Sequence, residues 1–311
     1  MSWNSMDEAF TPYVLTRTKI RVTKVRFRPA PTAPTARPPP PAAYSARVAS
    51  AVGGSSLEAP KVSAILLDAG GVLVFPEPAN LLPPLREAGL DPDLATLEQA
   101  HYQAMAAQDQ QPAPPGPNTW WRDYLTTYLA ACGVAEAKCE QLAIELAQHP
   151  RRYGWAHVGL GVKDGLRALA GLGLPMGVVS NSNGTVEGDL RRVGICYVAD
   201  GNGPDGPAAS GPDAGGPPEG VEMGVILDSA VVGVAKPDPG IFRIALDALN
   251  VPADGTVLHV GDSLRYDVAG ALAAGLQPVH MDPYGLCSAP EGHPHVSSLT
   301  ELADSLQPNP R

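Results

Sequence analysis

From residue 62 onward the chain alternates between two patterns. Short apolar runs end in a small or polar residue: 62–67, "PMGVVS" (175–180), "MGVILD" (223–228), "TVLHVG" (256–261) and "LQPVHM" (276–281). Their positions are apolar on both faces rather than alternately polar, as expected of strands buried on both sides of a parallel sheet. Between them lie stretches of helical character, "VKDGLRALAGLG", "VEGDLRRVG", "PGIFRIALDALN", "RYDVAGALAAG" and "SLTELADSL". Strand, helix and strand in alternation, with Gly at helix ends, predict an α/β doubly wound, mostly parallel sheet. From 76 to about 155 the alternation stops, and four helical segments follow one another: "NLLPPLREAGL", "DLATLEQAHYQAMAAQDQ", "TWWRDYLTTYLAA" and "AEAKCEQLAIELAQH". The pattern therefore predicts a core from 61–75 and 156–306, with an all-helical module of 76–155 inserted after the first strand. Ligands of such sheets bind beyond the carboxyl ends of the strands, so the insert is placed to cover the site.

Composition changes this picture at two places. The 34 prolines and 33 glycines are concentrated: residues 29 to 41, "PAPTAPTARPPPP", hold seven prolines, and 201–220 holds twelve Gly or Pro. Residues 1–60 are accordingly expected to form a disordered leader, with a short strand-like run at "KIRVTKVRF", and 201–220 a solvent-exposed loop. Charge is also uneven. The leader carries eight Lys/Arg against three Asp/Glu, a transit-peptide-like balance, while the whole chain has a net charge of −10. An acidic body argues against nucleic acid as a partner, because that affinity comes from neutralising phosphates with Lys and Arg. Cys132, Cys139, Cys196 and Cys287 lack CxxC spacing and read as free thiols. No run approaches the ~18 apolar residues of a membrane span, and the N-terminus lacks a signal-peptide core, so a cytoplasmic monomer or homodimer is expected.

Four elements with chemical potential stand at strand ends or helix starts. They are Asp68 in "LLDAGGVL", Ser180 in "VVSNSNG", Lys236 in "GVAKPDPGIF", and Asp262 with Asp267 in "HVGDSLRYD". In this order and context they resemble the four motifs of the haloacid dehalogenase-like hydrolases, over residues 62 to 306 and including the helical cap after the first motif. The resemblance implies that Asp68 attacks phosphorus, forming an aspartyl-phosphate that water then cleaves. It also implies Mg²⁺ held by Asp68, the Gly70 carbonyl and Asp262, with Asp267 as a further ligand or just behind the ligands. Lys236 would neutralise the transferring oxygens, and Ser180 and Asn181 would bind the phosphoryl group. With an ordinary pKa near 3.9, Asp68 is expected to be ionised at pH 7 without help.

Position 70 departs from the pattern. Phosphatases of this family place there an aspartate that protonates the leaving alcohol, a contribution of about 10²–10⁴ in rate; this chain has Gly70. The expectation is a Mg²⁺-dependent phosphatase of small phosphorylated metabolites, either restricted to good leaving groups or borrowing an acid from the cap or the substrate. Two other readings stay open: a metal-independent hydrolase of carbon–halogen bonds, and an inactive descendant that binds a phosphorylated ligand or a protein. Other candidates are read as structural. Trp120 and Trp121 are cap packing, Arg122 is the residue beside them, and His259 is a core histidine. His293 and His295 near Cys287 form a surface loop without ligand spacing, and Arg151 and Arg152 are solvated.

Overall fold

The computed structural model describes residues 62–112, 117–147, 154–199, 219–289 and 292–307. The leader, all but the end of the 201–220 stretch, and Arg151 and Arg152 lie outside the described residues.

A six-stranded sheet carries the core. Its strands are β1 (Ala64–Leu67), β4 (Met176–Ser180), β7 (Val225–Asp228), β8 (Val257–Gly261), β9 (Gln277–Met281) and β10 (His295–Val296), in the order β10-β9-β8-β1-β4-β7. Every neighbouring pair is parallel. The five apolar runs are thus the strands they were expected to be. β1 lies at the centre, and its four residues are fully buried on alternating faces. Ile65 and Leu67 pack with Leu166 of α5 (Val162–Ala170) and Leu302 of α10 (Leu299–Leu306). Ala64 and Leu66 face Ile241 and Phe242 of α8 (Pro239–Leu249). This period of two is set by strand geometry, and each such Leu or Ile contributes about 1.5–3 kcal/mol of burial. Asp238 caps α8 by accepting from Gly240 N–H at 2.8 Å, with Pro239 at the first position.

The insert contains α1 (Pro78–Glu87), α2 (Leu94–Gln110), α3 (Pro117–Ala131) and α4 (Glu136–Ala147), close to the four helical segments expected. These helices share an apolar core of their own, including Leu81, Leu85, Leu97, Leu125, Leu129 and Leu146. Two short strands refine the expected boundaries. β2 (Val74–Pro76) and β3 (Trp155–Val158) pair antiparallel where the chain leaves for the insert and returns from it. A second small ribbon pairs β5 (Cys196–Tyr197) with β6 (Val221–Glu222). The remaining helices are α6 (Val186–Arg192), α7 (Ser229–Val232) and α9 (Ala269–Ala273). α9 continues a π-helical turn, Leu264–Val268, that holds Asp267. Among the described residues, no helix is long and apolar enough to cross a membrane. Cys132, Cys139, Cys196 and Cys287 are free thiols, as expected, and only Cys287 is partly exposed.

Candidate active site

The register of three neighbouring strands assembles the site. Leu67 of β1 pairs with Val178 of β4 and Val260 of β8. Asp68, Ser180 and Asp262 therefore emerge at one edge of the sheet, within two residues of that shared level. Asp68 is fixed on both sides: its N–H donates to Val260 O at 2.8 Å, and its Oδ1 accepts from Ala69 N–H at 2.7 Å. The chain then turns sharply. Gly71 adopts φ +68°, and a Cβ there would overlap Asp262 Oδ2 and His101 Nε2, so a side chain is excluded for both reasons.

Lys236 bridges two of the carboxylates. Its Nζ lies 2.9 Å from Asp68 Oδ1 and 2.7 Å from Asp267 Oδ1, with all three groups largely buried. Burial opposes the ammonium charge, but Asp267 and Asp68 outweigh it and raise the lysine pKa. Asp267 also accepts from His259 Nε2 at 2.9 Å on Oδ1, and from Ser263 N–H at 3.1 Å on Oδ2. Its pKa is lowered even though burial, the largest influence, pulls the other way; Lys236 and His259 prevail. Both Asp267 oxygens are thus engaged by protein donors. His259 is the core histidine expected, fully buried edge-on against Phe242, but it also orients Asp267.

Asp68 differs from expectation. Burial, followed by the negative charges of Asp267 and Asp262, raises its pKa to about 7, with Lys236 opposing. Three carboxylates whose oxygens lie within 4.8 Å of one another are balanced by one ammonium. The site is short of positive charge. An all-oxygen donor set with excess negative charge fits a hard cation such as Mg²⁺, which Asp68 and Asp262 would hold.

Asn181 has a role beyond the expected one: its side-chain amide is committed at both ends to the main chain of Lys236, Nδ2 donating to Lys236 O at 2.9 Å and Oδ1 accepting from Lys236 N–H at 2.8 Å. It positions the lysine. Ser180 sits at the end of β4, buried and in register with Asp228. Asp228 in turn accepts from Gly184 N–H at 2.8 Å and Ala230 N–H at 2.9 Å, shaping the loop that follows Ser180.

The helical insert contributes residues that the sequence reading did not single out. His101 of α2 places Nε2 2.7 Å from Asp262 Oδ2 and Nδ1 2.9 Å from Tyr124 Oη. Tyr102 Oη donates to Gly71 O at 2.6 Å. Asp109, one helical face further along, accepts from Ser263 Oγ at 2.8 Å, Leu264 N–H at 2.7 Å and Arg265 N–H at 3.1 Å. The available signal was a histidine within the buried stripe Leu97, His101, Ala104 and Gln108 of an amphipathic helix. Trp120 and Trp121 pack as expected, Trp120 stacked on Tyr124 at 5.2 Å, and exposed Arg122 pairs with Asp123 at 3.0 Å.

Residues 62–275 match the family model described as haloacid dehalogenase-like hydrolase. Among curated proteins, the chain is similar to haloacid dehalogenase-like hydrolase domain-containing protein 3 of Bos taurus. The two are 29 % identical over 238 residues, which is 71 % of this chain and 84 % of that protein. A shorter match, 40 % identical over 88 residues, is to phosphoserine phosphatase of Thermus thermophilus; it covers 27 % of this chain and 35 % of that protein. A solved 2-haloacid dehalogenase from Pseudomonas syringae superposes with a TM-score of 0.44 at 24 % identity, covering 79 % of this chain and 98 % of that one.

Proposed function

The chain belongs to the haloacid dehalogenase-like hydrolase family, and on that premise we propose that it is a Mg²⁺-dependent phosphatase of small phosphorylated metabolites. One observation carries this reading: Asp68 emerges beside Lys236 with Asp262 and Asp267 close by, a nucleophile, a cation and two further carboxylates at one strand edge. The local match to a phosphoserine phosphatase supports the same direction. Bound Mg²⁺ would supply the missing positive charge and draw the substrate phosphate toward the carboxylates.

The chain's own groups do the rest. Asp68, held by Ala69 N–H and Lys236, attacks phosphorus; the ester oxygen departs with its electron pair and takes up a proton. Water then cleaves the aspartyl-phosphate, returning Asp68 and releasing inorganic phosphate. Lys236 stabilises charge on the transferring oxygens while Asn181 and Asp267 keep it in place. Position 70 offers no proton donor, and the space beside it is filled: a Cβ on Gly70 would lie 3.1 Å from the ring of Trp155. His101, engaged at Asp262 and Tyr124, would become a donor to the leaving oxygen only by releasing Asp262.

Purified protein is expected to release phosphate from para-nitrophenyl phosphate only with Mg²⁺, and Asp68→Asn to abolish release. Metal-independent turnover, or full activity in Asp68→Asn, overturns the reading. The missing second carboxylate favours one competitor, carbon–halogen hydrolysis. Halide release from 2-halo acids without metal would establish that alternative. Tight ligand binding without turnover across a phosphate-ester panel would mark an inactive descendant.

A further inference from the structure

At the far edge of the sheet, behind the main chain of Asp262, three histidines and a cysteine gather. His280 and His295 are register partners on the parallel strands β9 and β10, which sets their side chains side by side although fifteen residues separate them in sequence. The loop between these strands brings in Cys287 and His293. Their donor atoms, one from each residue, all lie within 4.8 Å of one another. His293 Nε2 is 3.3 Å from His280 Nδ1 and 3.7 Å from Cys287 Sγ. A tetrahedral ion with Zn–N near 2.05 Å and Zn–S near 2.3 Å has edges of about 3.3 Å between nitrogens and about 3.6 Å between nitrogen and sulfur. The two spacings from His293 match a tetrahedron's edges, and the other donor pairs lie within 4.8 Å.

Two of the imidazoles are oriented from behind. His280 Nε2 donates to Asp262 O at 3.2 Å, which leaves the Nδ1 lone pair facing the cluster. His295 Nδ1 donates to Asp282 Oδ2 at 3.3 Å, and its Nε2 is buried without a hydrogen-bond partner. Histidines that bind metal are held in this manner, one ring nitrogen donating to a carboxylate or carbonyl and the other on the ion. Asp282 also accepts from Leu286 N–H at 2.7 Å and Cys287 N–H at 3.1 Å, so the group that orients His295 also shapes the turn presenting Cys287. Three imidazoles with centroids 4.6 to 5.3 Å apart and an orphaned buried nitrogen are hard to account for by packing alone.

We propose that His280, Cys287, His293 and His295 form a second metal site that holds one zinc-type divalent ion. The ligands are His280 Nδ1, Cys287 Sγ, His293 Nε2 and His295 Nε2. Four protein donors complete the coordination shell, so the ion is structural rather than catalytic. It clamps the loop after β9 onto the sheet, and through His280 it steadies the main chain of Asp262.

The full chain, purified without chelator or histidine tag, is expected to retain about one zinc per molecule by elemental analysis. Replacement by Co²⁺ should give a thiolate-to-cobalt charge-transfer band and the intense visible bands of tetrahedral cobalt. Cys287→Ser should remove the charge-transfer band, and Cys287→Ser with His293→Ala should bring retained zinc close to zero. Asp282→Asn should weaken zinc binding about 10–100-fold. Asp68→Asn should leave zinc content unchanged, which separates this site from the carboxylates. Absence of both retained zinc and a thiolate–cobalt band in the unaltered protein overturns the proposal, whether or not the variants fold. So does zinc that is lost in Asp68→Asn but kept in the Cys287/His293 variant.

Discussion

Gly70→Asp tests the reading of the leaving-group side. The substitution restores the carboxylate that phosphatases of this family carry, yet the space is taken. The new Cβ would meet Trp155 at 3.1 Å from Cζ3 and 3.4 Å from Cε3, so the ring must give way for the side chain to fit. Overpacking of this kind typically destabilises by about 1–3 kcal/mol. For a domain of this size that is about 2–12 °C in Tm. The carboxylate forced aside gains no line to a leaving oxygen, so Gly70→Asp alone should leave kcat/KM for an alkyl phosphate near its starting value. Trp155→Ala makes room, at a loss of about 3 kcal/mol for a half-buried tryptophan that also contacts His101 edge-on at 5.5 Å. The two changes should couple, the double variant being less destabilised than the separate effects combined by about 1 kcal/mol. Only the double variant should gain about 10²-fold on the alkyl substrate, roughly 2.7 kcal/mol of barrier, with little gain on an aryl phosphate. Thermal denaturation and steady-state kinetics on all four proteins complete the cycle. If Gly70→Asp alone keeps the parent Tm and gains as much as the double variant, Trp155 is not what stands in the acid's place.

Three more expectations concern the same site. His101→Asn should lower kcat/KM for an alkyl phosphate about 10²-fold and for an aryl phosphate much less, as loss of a proton donor requires; an equal loss on both would leave His101 only the role of orienting Asp262. Because Asp68 has a pKa of about 7 in the metal-free site, protons compete with Mg²⁺ there. Apparent Mg²⁺ affinity measured by calorimetry should be flat above pH 7 and fall toward tenfold per pH unit below it. The folded state binds this proton more tightly than the unfolded chain does, so the penalty of ionising Asp68 is absent in acid and complete above pH 7. Asp68→Asn should therefore raise the Tm of metal-free protein at pH 8 and do less at pH 5; a shift of equal size at both pH values would contradict the assigned pKa.

The sheet was legible because its strands are buried on both faces, so "AILL" or "MGVVS" carries its environment in composition alone. The two- to four-residue strands β2, β3, β5, β6 and β10 are too short to show any period, and only their partners define them. The motif order pointed to Asp68, Ser180, Lys236, Asp262 and Asp267, since the end of a parallel strand is a fixed place in such a fold. What their side chains do was less legible. Asn181 binds a main chain 55 residues away, and the His101 to Asp262 contact spans 161 residues. The four donors around His293 come together through a strand register that no spacing rule along the chain describes. The charge state of Asp68 was likewise hidden, because it depends on burial and on two carboxylates supplied by another part of the sequence.

Helix α2 joins the helical insert directly to the acidic site. Tyr102 and Asp109, seven residues apart, share a helical face, and His101 lies about 100° round from Tyr102. Each reaches a different part of the site: Asp262, the Gly71 carbonyl in the turn after Asp68, and the Ser263–Arg265 start of the turn that holds Asp267. At a net value of about 0.5–1.5 kcal/mol each, these five hydrogen bonds amount to a few kcal/mol, enough to hold the cap seated and small enough to be released for substrate exchange. When α2 lifts, Asp262 loses His101 and the Asp267 turn loses its cap in the same movement. Asp68 and Lys236 keep their core partners without α2, so what the helix adds is the bracing of Asp262 and of the Ser263–Arg265 turn. A substrate that keeps α2 seated would keep that bracing in place, which would couple recognition by the insert to the acidic centre.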